Sequence, residues 1–234
     1  MNICLKTTPL QQAMVRNRYK SFVRSCIGNN YELTNVKSEF IRLNNVCKQN
    51  GLHQNFCDAT EKLYKYLIEH NNTKLSNIIL GELGKIYART GNFTHAEDTL
   101  IKSLMISKSM DDKIHVLARL TDLEFLYKDF GDKKKLYRTL KEKIKYAKEI
   151  LENYEQNASK FNTLTKSPTS KNSIKIQLAY AYTNLADLLI RKHPQDSLKL
   201  VEKAKQIYME LAKTKEIKYL NVKQDIIKSY MYRA

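Results

Sequence analysis

The side chains best suited to catalysis or metal binding are five histidines, His53, His70, His95, His115 and His193, and four cysteines, Cys4, Cys26, Cys47 and Cys57. Metal-assisted or nucleophilic chemistry needs such residues gathered, and along a helix or turn that means spacings like His-x3-His or Cys-x2-Cys. Neither spacing occurs. The histidines fall in separate stretches and read as surface residues. The cysteines all lie in the first quarter of the chain and read as reduced thiols, with a metal or redox site in that quarter as the alternative. The pair Asp111-Asp112 reads as the start of a helix, where carboxylates complement the dipole. The expectation is a non-catalytic chain without cofactor or metal.

The other chemistry on offer is electrostatic. A formal net charge of +17 makes nucleic acid, an acidic protein segment or an anionic membrane the partner classes to weigh. The excess is spread along the chain, with residues 76–115 neutral. The densest basic stretch is DKKKLYRTLKEKIKYAKEI, residues 132–150. There Leu136, Leu140, Ile144 and Ala147 space as one buried helix face, which turns Lys133, Lys134, Arg138, Lys141 and Lys145 outward. These five are a candidate anion-binding face, with Tyr137 and Tyr146 able to stack on bases; the other reading is a solvated surface helix. No apolar run is long enough to span a bilayer, and MNICLKTTPLQQAMV lacks the apolar core of a secretory leader. A soluble, cytoplasmic protein with no membrane role is therefore expected.

What positions these residues is helix. Among 234 residues there are only 6 glycines, 3 prolines and no tryptophan, whereas lysine, leucine, isoleucine and tyrosine are abundant. Sliding the sequence against itself gives a match at an offset of 40 residues. Gly51, Gly91 and Gly131 coincide, as do Leu43, Leu83 and Leu123; Phe40, Leu80 and Leu120; and Cys47, Tyr87 and Tyr127. After the glycine, Phe56, Ala96 and Leu136 align, then Thr60, Leu100 and Leu140. Apolar positions at i, i+3 and i+7 on both sides of each glycine predict two helices joined by a tight turn, the first ended by a left-handed glycine.

The unit Leu80-x2-Leu83-Gly84-x2-Tyr87, followed by Ala96-x3-Leu100, resembles the tetratricopeptide repeat. The resemblance implies that Gly84 of the first helix meets Ala96 of the second, so that the backbones approach closely. It implies an all-α fold, a right-handed superhelix (α-solenoid) of antiparallel helix pairs, with the longer units of kinesin-light-chain-type and peptide-receptor repeats. A fourth copy, offset by 62 residues from the third, reads Tyr182-x2-Leu185-Ala186-x2-Leu189 with Ser197 as the small partner and Pro194 in the turn. Copies one and three put Asn44 with Phe56 and Glu124 with Leu136 in the small positions. The expected organisation is a capping helix in residues 1–30, three repeats over 31–158, a flexible loop at 159–173, a fourth repeat over 174–215 and a capping helix at 216–234, forming a single domain overall. In the first cap, Thr8 and Pro9 start the helix and Val15, Tyr19, Phe22 and Cys26 share a face; in the last, Ile217, Leu220, Ile227 and Tyr230 do.

In the resembled family the first helix of each repeat lines a concave groove. Its outward positions here are Arg42 and Asn45; Gly81, Glu82, Lys85 and Arg89; Thr121, Asp122 and Phe125; and Thr183, Asn184, Asp187 and Arg191. Gly81 would leave room for a ligand backbone. Asn184, in TNLAD, resembles the asparagine with which kinesin-light-chain-type repeats grip a peptide, since an amide both donates and accepts. The lysine-asparagine carboxylate clamp of chaperone-binding repeats is not reproduced. The expected function is a protein-interaction scaffold or adaptor that binds a peptide segment, acidic in character, in this groove. A nucleic-acid-associated protein using the 132–150 face and a peptide-sensing regulator are the alternatives.

Overall fold

The computed structural model describes residues 8–27, 38–39, 42–43, 45–46, 53–156 and 170–232. Among these residues there is no strand, and the continuous helices are α1 (Pro9–Ile27), α2 (His53–Glu69), α3 (Thr73–Arg89), α4 (Phe93–Ser109), α5 (Lys113–Phe130), α6 (Lys133–Gln156), α7 (Lys171–Leu189), α8 (Pro194–Glu210) and α9 (Thr214–Met231). The chain divides into two compact units, residues 1–103 and 104–234, with the division inside α4. The turn expected at Gly51, together with Phe40, Asn44 and Cys47, lies outside the described residues, as does residues 159–169 of the expected loop. That loop ends earlier than 173: Ser170 caps α7 by accepting from the Ser173 N–H at 3.2 Å, and Lys171 to Ser173 are helical.

The beat of the chain is set where helices stop. Helix starts fall at His53, Thr73, Phe93, Lys113 and Lys133, a step of 20 residues, half the repeat. Before each of the last four, one residue is left-handed: Asn71 (φ 55°), Gly91 (79°), Asp111 (50°) and Gly131 (79°). The residue after it sends its N–H back across the helix end, from Asn72 to Leu67, Asn92 to Tyr87, Asp112 to Ser107 and Asp132 to Tyr127, at 2.9–3.1 Å. This six-residue return satisfies carbonyls that a helix end would otherwise leave bare. The same Asn or Asp then caps the next helix with its side chain, accepting from the N–H of Leu75 (3.2 Å), His95 (3.4 Å), His115 (3.1 Å) and Lys135 (2.9 Å). Asp112 thus stands at a helix start, as its sequence position suggests. Ala212, between α8 and α9, takes the same left-handed conformation (φ 52°), where a Cβ costs about 1–2 kcal/mol.

In the first unit, Val15 and Phe22 of α1 pack into one apolar cluster with Leu43, Phe56, Leu63, Leu67, Leu75, Ile79, Leu83 and Ile86, with Tyr19 at its edge. α1 therefore contributes core side chains, and it begins at Pro9. The small pair of copy two is where the sequence placed it. A Cβ on Gly84 would sit 2.6 Å from Leu100 Cγ and 3.4 Å from the Ala96 carbonyl oxygen, so the absence of a side chain permits the α3–α4 approach. Ser103 closes the same contact by donating to Asn77 Oδ1 at 2.7 Å.

In the second unit α5 packs on α6, α6 on α7, α7 on α8 and α8 on α9. Its core runs through Leu117, Ala147, Ile150, Ile174, Leu178, Tyr182, Val201, Ala204, Leu220 and Ile227, with Ile217 and Met231 against it. The small pair of copy four is Ala186 with Ser197, whose hydroxyl donates to the Ala186 carbonyl at 2.8 Å. Tyr230 is half-buried.

Gly84 and Gly91 of copy two should fail differently. Nothing lies within 4 Å of a Cβ at Gly91, so Gly91→Ala loses about 1 kcal/mol by backbone strain alone, and Gly91→Asn restores much of it. Gly84→Ala overpacks Leu100 and loses about 1–3 kcal/mol, a loss that shrinks in a Leu100→Ala background. Urea unfolding of the five variants, Leu100→Ala alone included, checks both; an undiminished Gly84→Ala loss in the Leu100→Ala background contradicts the packing account.

Candidate binding face

The first helices of copies three and four, α5 and α7, and the C-terminal helix α9 are tied side to side by polar contacts within the second unit. Thr121 on α5 donates to Gln177 on α7 at 3.2 Å, and Asp187 on α7 accepts from Lys223 on α9 at 2.5 Å. Thr121, Phe125 and Lys128 share a face of α5 at i, i+4 and i+7, and Gln177, Tyr180, Asn184 and Asp187 share a face of α7. Phe125, Tyr180 and Tyr219 are exposed there, with Val222 and Ile226 exposed on α9. Lys128 lies over the Tyr180 ring at 5.9 Å and Lys223 over Tyr219 at 4.9 Å. The surface is thus aromatic and amphipathic, with cations seated on its rings.

Beneath it lies a buried ionic cluster that the repeat pattern did not announce. Glu124 is fully buried and accepts from Lys143 Nζ on α6 and from Asn184 Nδ2 on α7, both at 2.5 Å. Asn184 Oδ1 in turn accepts from Lys128 Nζ at 3.5 Å. Glu124 occupies the position of Gly84 and Ala186 in the neighbouring copies, and Lys143 that of Ser103. Copy three has exchanged a close small-to-small approach for a charge pair. The sequence did carry a sign of it: Lys143 sits between Leu140 and Ala147 on the core face of α6.

Several expected groove residues are accordingly corrected. Asn184 is buried and its amide is engaged by Glu124 and Lys128, so it is not an outward gripping group. Thr183 is buried and donates to the Ala179 carbonyl at 2.9 Å. Gly81 is buried rather than open. Asp122 pairs with the buried Arg119 at 3.2 Å, and Asp187 with Lys223. In copy two Glu82 and Lys85 pair with each other. Arg42, Asn45, Arg89, Phe125 and Arg191 are exposed; Arg42 reaches Glu39 at 3.4 Å. Tyr180 and Tyr219 were missed, because in a chain with 15 tyrosines no single one stands out without a surface to place it on.

A second polar cluster lies in the first unit. Tyr87 on α3 donates its hydroxyl to Glu61 on α2, and burial together with that bond pushes the phenol well above its ordinary range. Cys57, one turn before Glu61, is buried and free. Burial first, then the charges of Glu61 and Asp58, push its thiol from 9.0 up to about 11. Only thiolate is a good nucleophile or metal ligand, so at neutral pH this group is inert. Among the described residues no group of three or more His, Cys, Asp and Glu is placed to hold a metal ion, and no helix is long and apolar enough to cross a membrane. His70, His95 and His193 are exposed, and His115 contacts Asp112 at 2.7 Å.

Helix pairs with a left-handed turn, a small-residue crossing and first helices laid side by side define the class: an all-α, tetratricopeptide-like repeat fold. Among solved structures it is matched by BtubC (BKLC) from P. vanneervenii, with a TM-score of 0.58 at 14% identity, covering 96% of this chain and 93% of that one. A putative kinesin light chain from Podosopora anserina with nearly identical TPR-like repeats gives 0.43 at 16% identity, covering 95% and 98%. No family model and no curated protein matches the chain. At these identities the likeness is one of fold.

Two measurements test the clusters. Lys143→Met leaves Glu124 buried without its cation and should lower stability by about 3–5 kcal/mol in urea unfolding, whereas Glu124→Leu with Lys143→Met should recover most of it. For Cys57 the folded pKa lies above the unfolded one, so the folded state holds its proton longer and stability falls as pH rises from about 9 to about 11. With Cys4, Cys26 and Cys47 changed to Ser, a disulfide reagent at pH 8 should label Cys57 only as fast as the unit opens, with the rate rising in urea; rapid labelling of folded protein contradicts the burial account.

Proposed function

We propose that this protein is a non-catalytic interaction scaffold that binds a segment of another protein on the face formed by α5, α7 and α9. The observation carrying the proposal is the exposure of Phe125, Tyr180 and Tyr219 on one side-chain layer whose polar members are already paired beneath it. Exposed aromatic side chains with few rotatable bonds are the usual anchors of protein interfaces, and a grouped set marks a binding surface better than scattered apolar residues do. Tyr180 and Tyr219 bring hydroxyls that can bond to a peptide backbone, a role for which Asn184 is no longer free. The net charge of +17, with exposed Lys128 and Arg191 on the same helices, favours an acidic segment.

Selection from a randomised peptide library on the immobilised full chain tests this. Enriched peptides should be rich in Asp and Glu with at least one apolar anchor, and Phe125→Ala with Tyr180→Ala should weaken them by about tenfold or more without loss of helicity. Enrichment without acidic bias removes the charge part of the proposal. Peptides whose affinity is indifferent to Phe125, Tyr180 and Tyr219 remove the face itself.

A further inference from the structure

The basic helix α6 presents a second surface, separate from the face of α5, α7 and α9. Lys134, Arg138, Lys141, Lys145 and Lys148 follow one another at i, i+4, i+7, i+11 and i+14, and all five are exposed. That spacing keeps them on one narrow stripe of the helix, about 21 Å long at 1.5 Å per residue. The opposite side holds the core residues Leu136, Leu140, Ala147 and Ile150 and the buried Lys143, so the stripe cannot roll inward.

The carboxylates that could neutralise the stripe are largely turned elsewhere. Glu142 is held by Lys108 at 2.5 Å, Glu149 by Lys113 at 3.3 Å, and Asp132 caps the helix while pairing with Lys135 at 3.9 Å. Among the described residues, Lys145 alone of the five shares one of them, at 3.9 Å from Glu149. Lys141 lies over the Tyr137 ring at 5.3 Å, which stiffens a long side chain without removing its charge. A row of largely unneutralised cations along a rigid rod matches a row of phosphates.

We infer that the α6 stripe is a docking site for the phosphodiester backbone of a nucleic acid, bound without regard to base sequence. An anionic membrane fits less well, because the described part of α6 exposes no large apolar side chain that could enter the acyl boundary. Lys134, Arg138, Lys141, Lys145 and Lys148 each contact phosphate; Glu152, on the same stripe, marks its end.

Fluorescence anisotropy with a labelled random-sequence DNA duplex of about 20 base pairs, and with a single-stranded RNA of the same length, reads this directly. If all five cations engage the duplex, log K falls against log salt with a slope of about −4.5, and Lys134→Gln/Arg138→Gln/Lys141→Gln flattens it by about 2.7 and weakens binding by about tenfold or more at about 100 mM salt. The control Lys62→Gln/Lys65→Gln/Lys74→Gln removes the same charge from exposed positions on other helices and should leave binding nearly unchanged. Equal loss in both variants would mean net charge alone and overturns the site. No binding of either nucleic acid at about 50 mM salt overturns it, as does stripe-dependent binding to phosphatidylserine vesicles without binding to nucleic acid. Helicity by circular dichroism establishes that both triple variants are folded.

Discussion

Everything in this chain depends on where its helices are made to stop. An amphipathic helix of lysine, leucine and isoleucine has no intrinsic reason to end after 17 residues, and a helix that overran would put its apolar face out of register with its neighbour. The left-handed residue at 71, 91, 111 and 131 stops it, and the Asn or Asp that follows both closes the old helix through its backbone and opens the new one through its side chain. One residue thus satisfies groups at two helix ends. Because the step is constant from α2 to α6, the small residues of α3 arrive opposite those of α4, and Glu124 of α5 opposite Lys143 of α6.

Fixed register turns a single position into a set of alternatives. At the crossing of the paired helices, copy two has Gly84 against Leu100 and Ala96, copy four has Ala186 bonded by Ser197, and copy three has Glu124 bonded by Lys143 and Asn184. The first two let backbones approach and gain dispersion contacts. The third holds them with a buried charge pair, which adds little net stability but penalises every arrangement that separates the partners. Asn184 makes that penalty span three helices, α5, α6 and α7, and its amide joins the buried pair to Lys128 and the aromatic surface above. The shape of that surface therefore rests on a polar core rather than an apolar one.

The all-α class, the paired helices, the turns at Gly91 and Gly131, the small pairs of copies two and four and the start and apolar face of α1 were legible in the sequence, because each is written in a short-range pattern: apolar period, glycine position, Thr-Pro start. The halved beat is also present, in Asn72, Asn92, Asp112 and Asp132, but a 40-residue offset aligns only the glycine-bearing turns. The groove positions were less legible. Asn184, Thr183 and Gly81 lie on the outward side of an isolated helix, yet all three are buried; for Asn184 the cause is α5, whose Glu124 and Lys128 engage its amide, a neighbour that a family pattern locates only on average. Tyr180 and Tyr219 show the converse: their exposure is a property of the packed unit, invisible to periodicity.

Charge and shape divide the work of recognition in this molecule. On the α5, α7 and α9 face, the acidic groups Glu124 and Asp187 are matched by Lys143 and Lys223, so the free charge close to the aromatic side chains is chiefly that of Lys128, over the Tyr180 ring. The unmatched cations are concentrated on surfaces such as α6. Screening at physiological salt confines a charge to about 8 Å, so cations on a separate helix raise the rate of encounter with an anionic partner far more than they strengthen the final contact. Affinity on the aromatic face must then come from burying rings and bonding backbone, both short-range and insensitive to salt. Two kinds of salt dependence are consequently expected from one chain: steep for whatever lies along α6, shallow in dissociation from the aromatic face, even where the partner there is acidic.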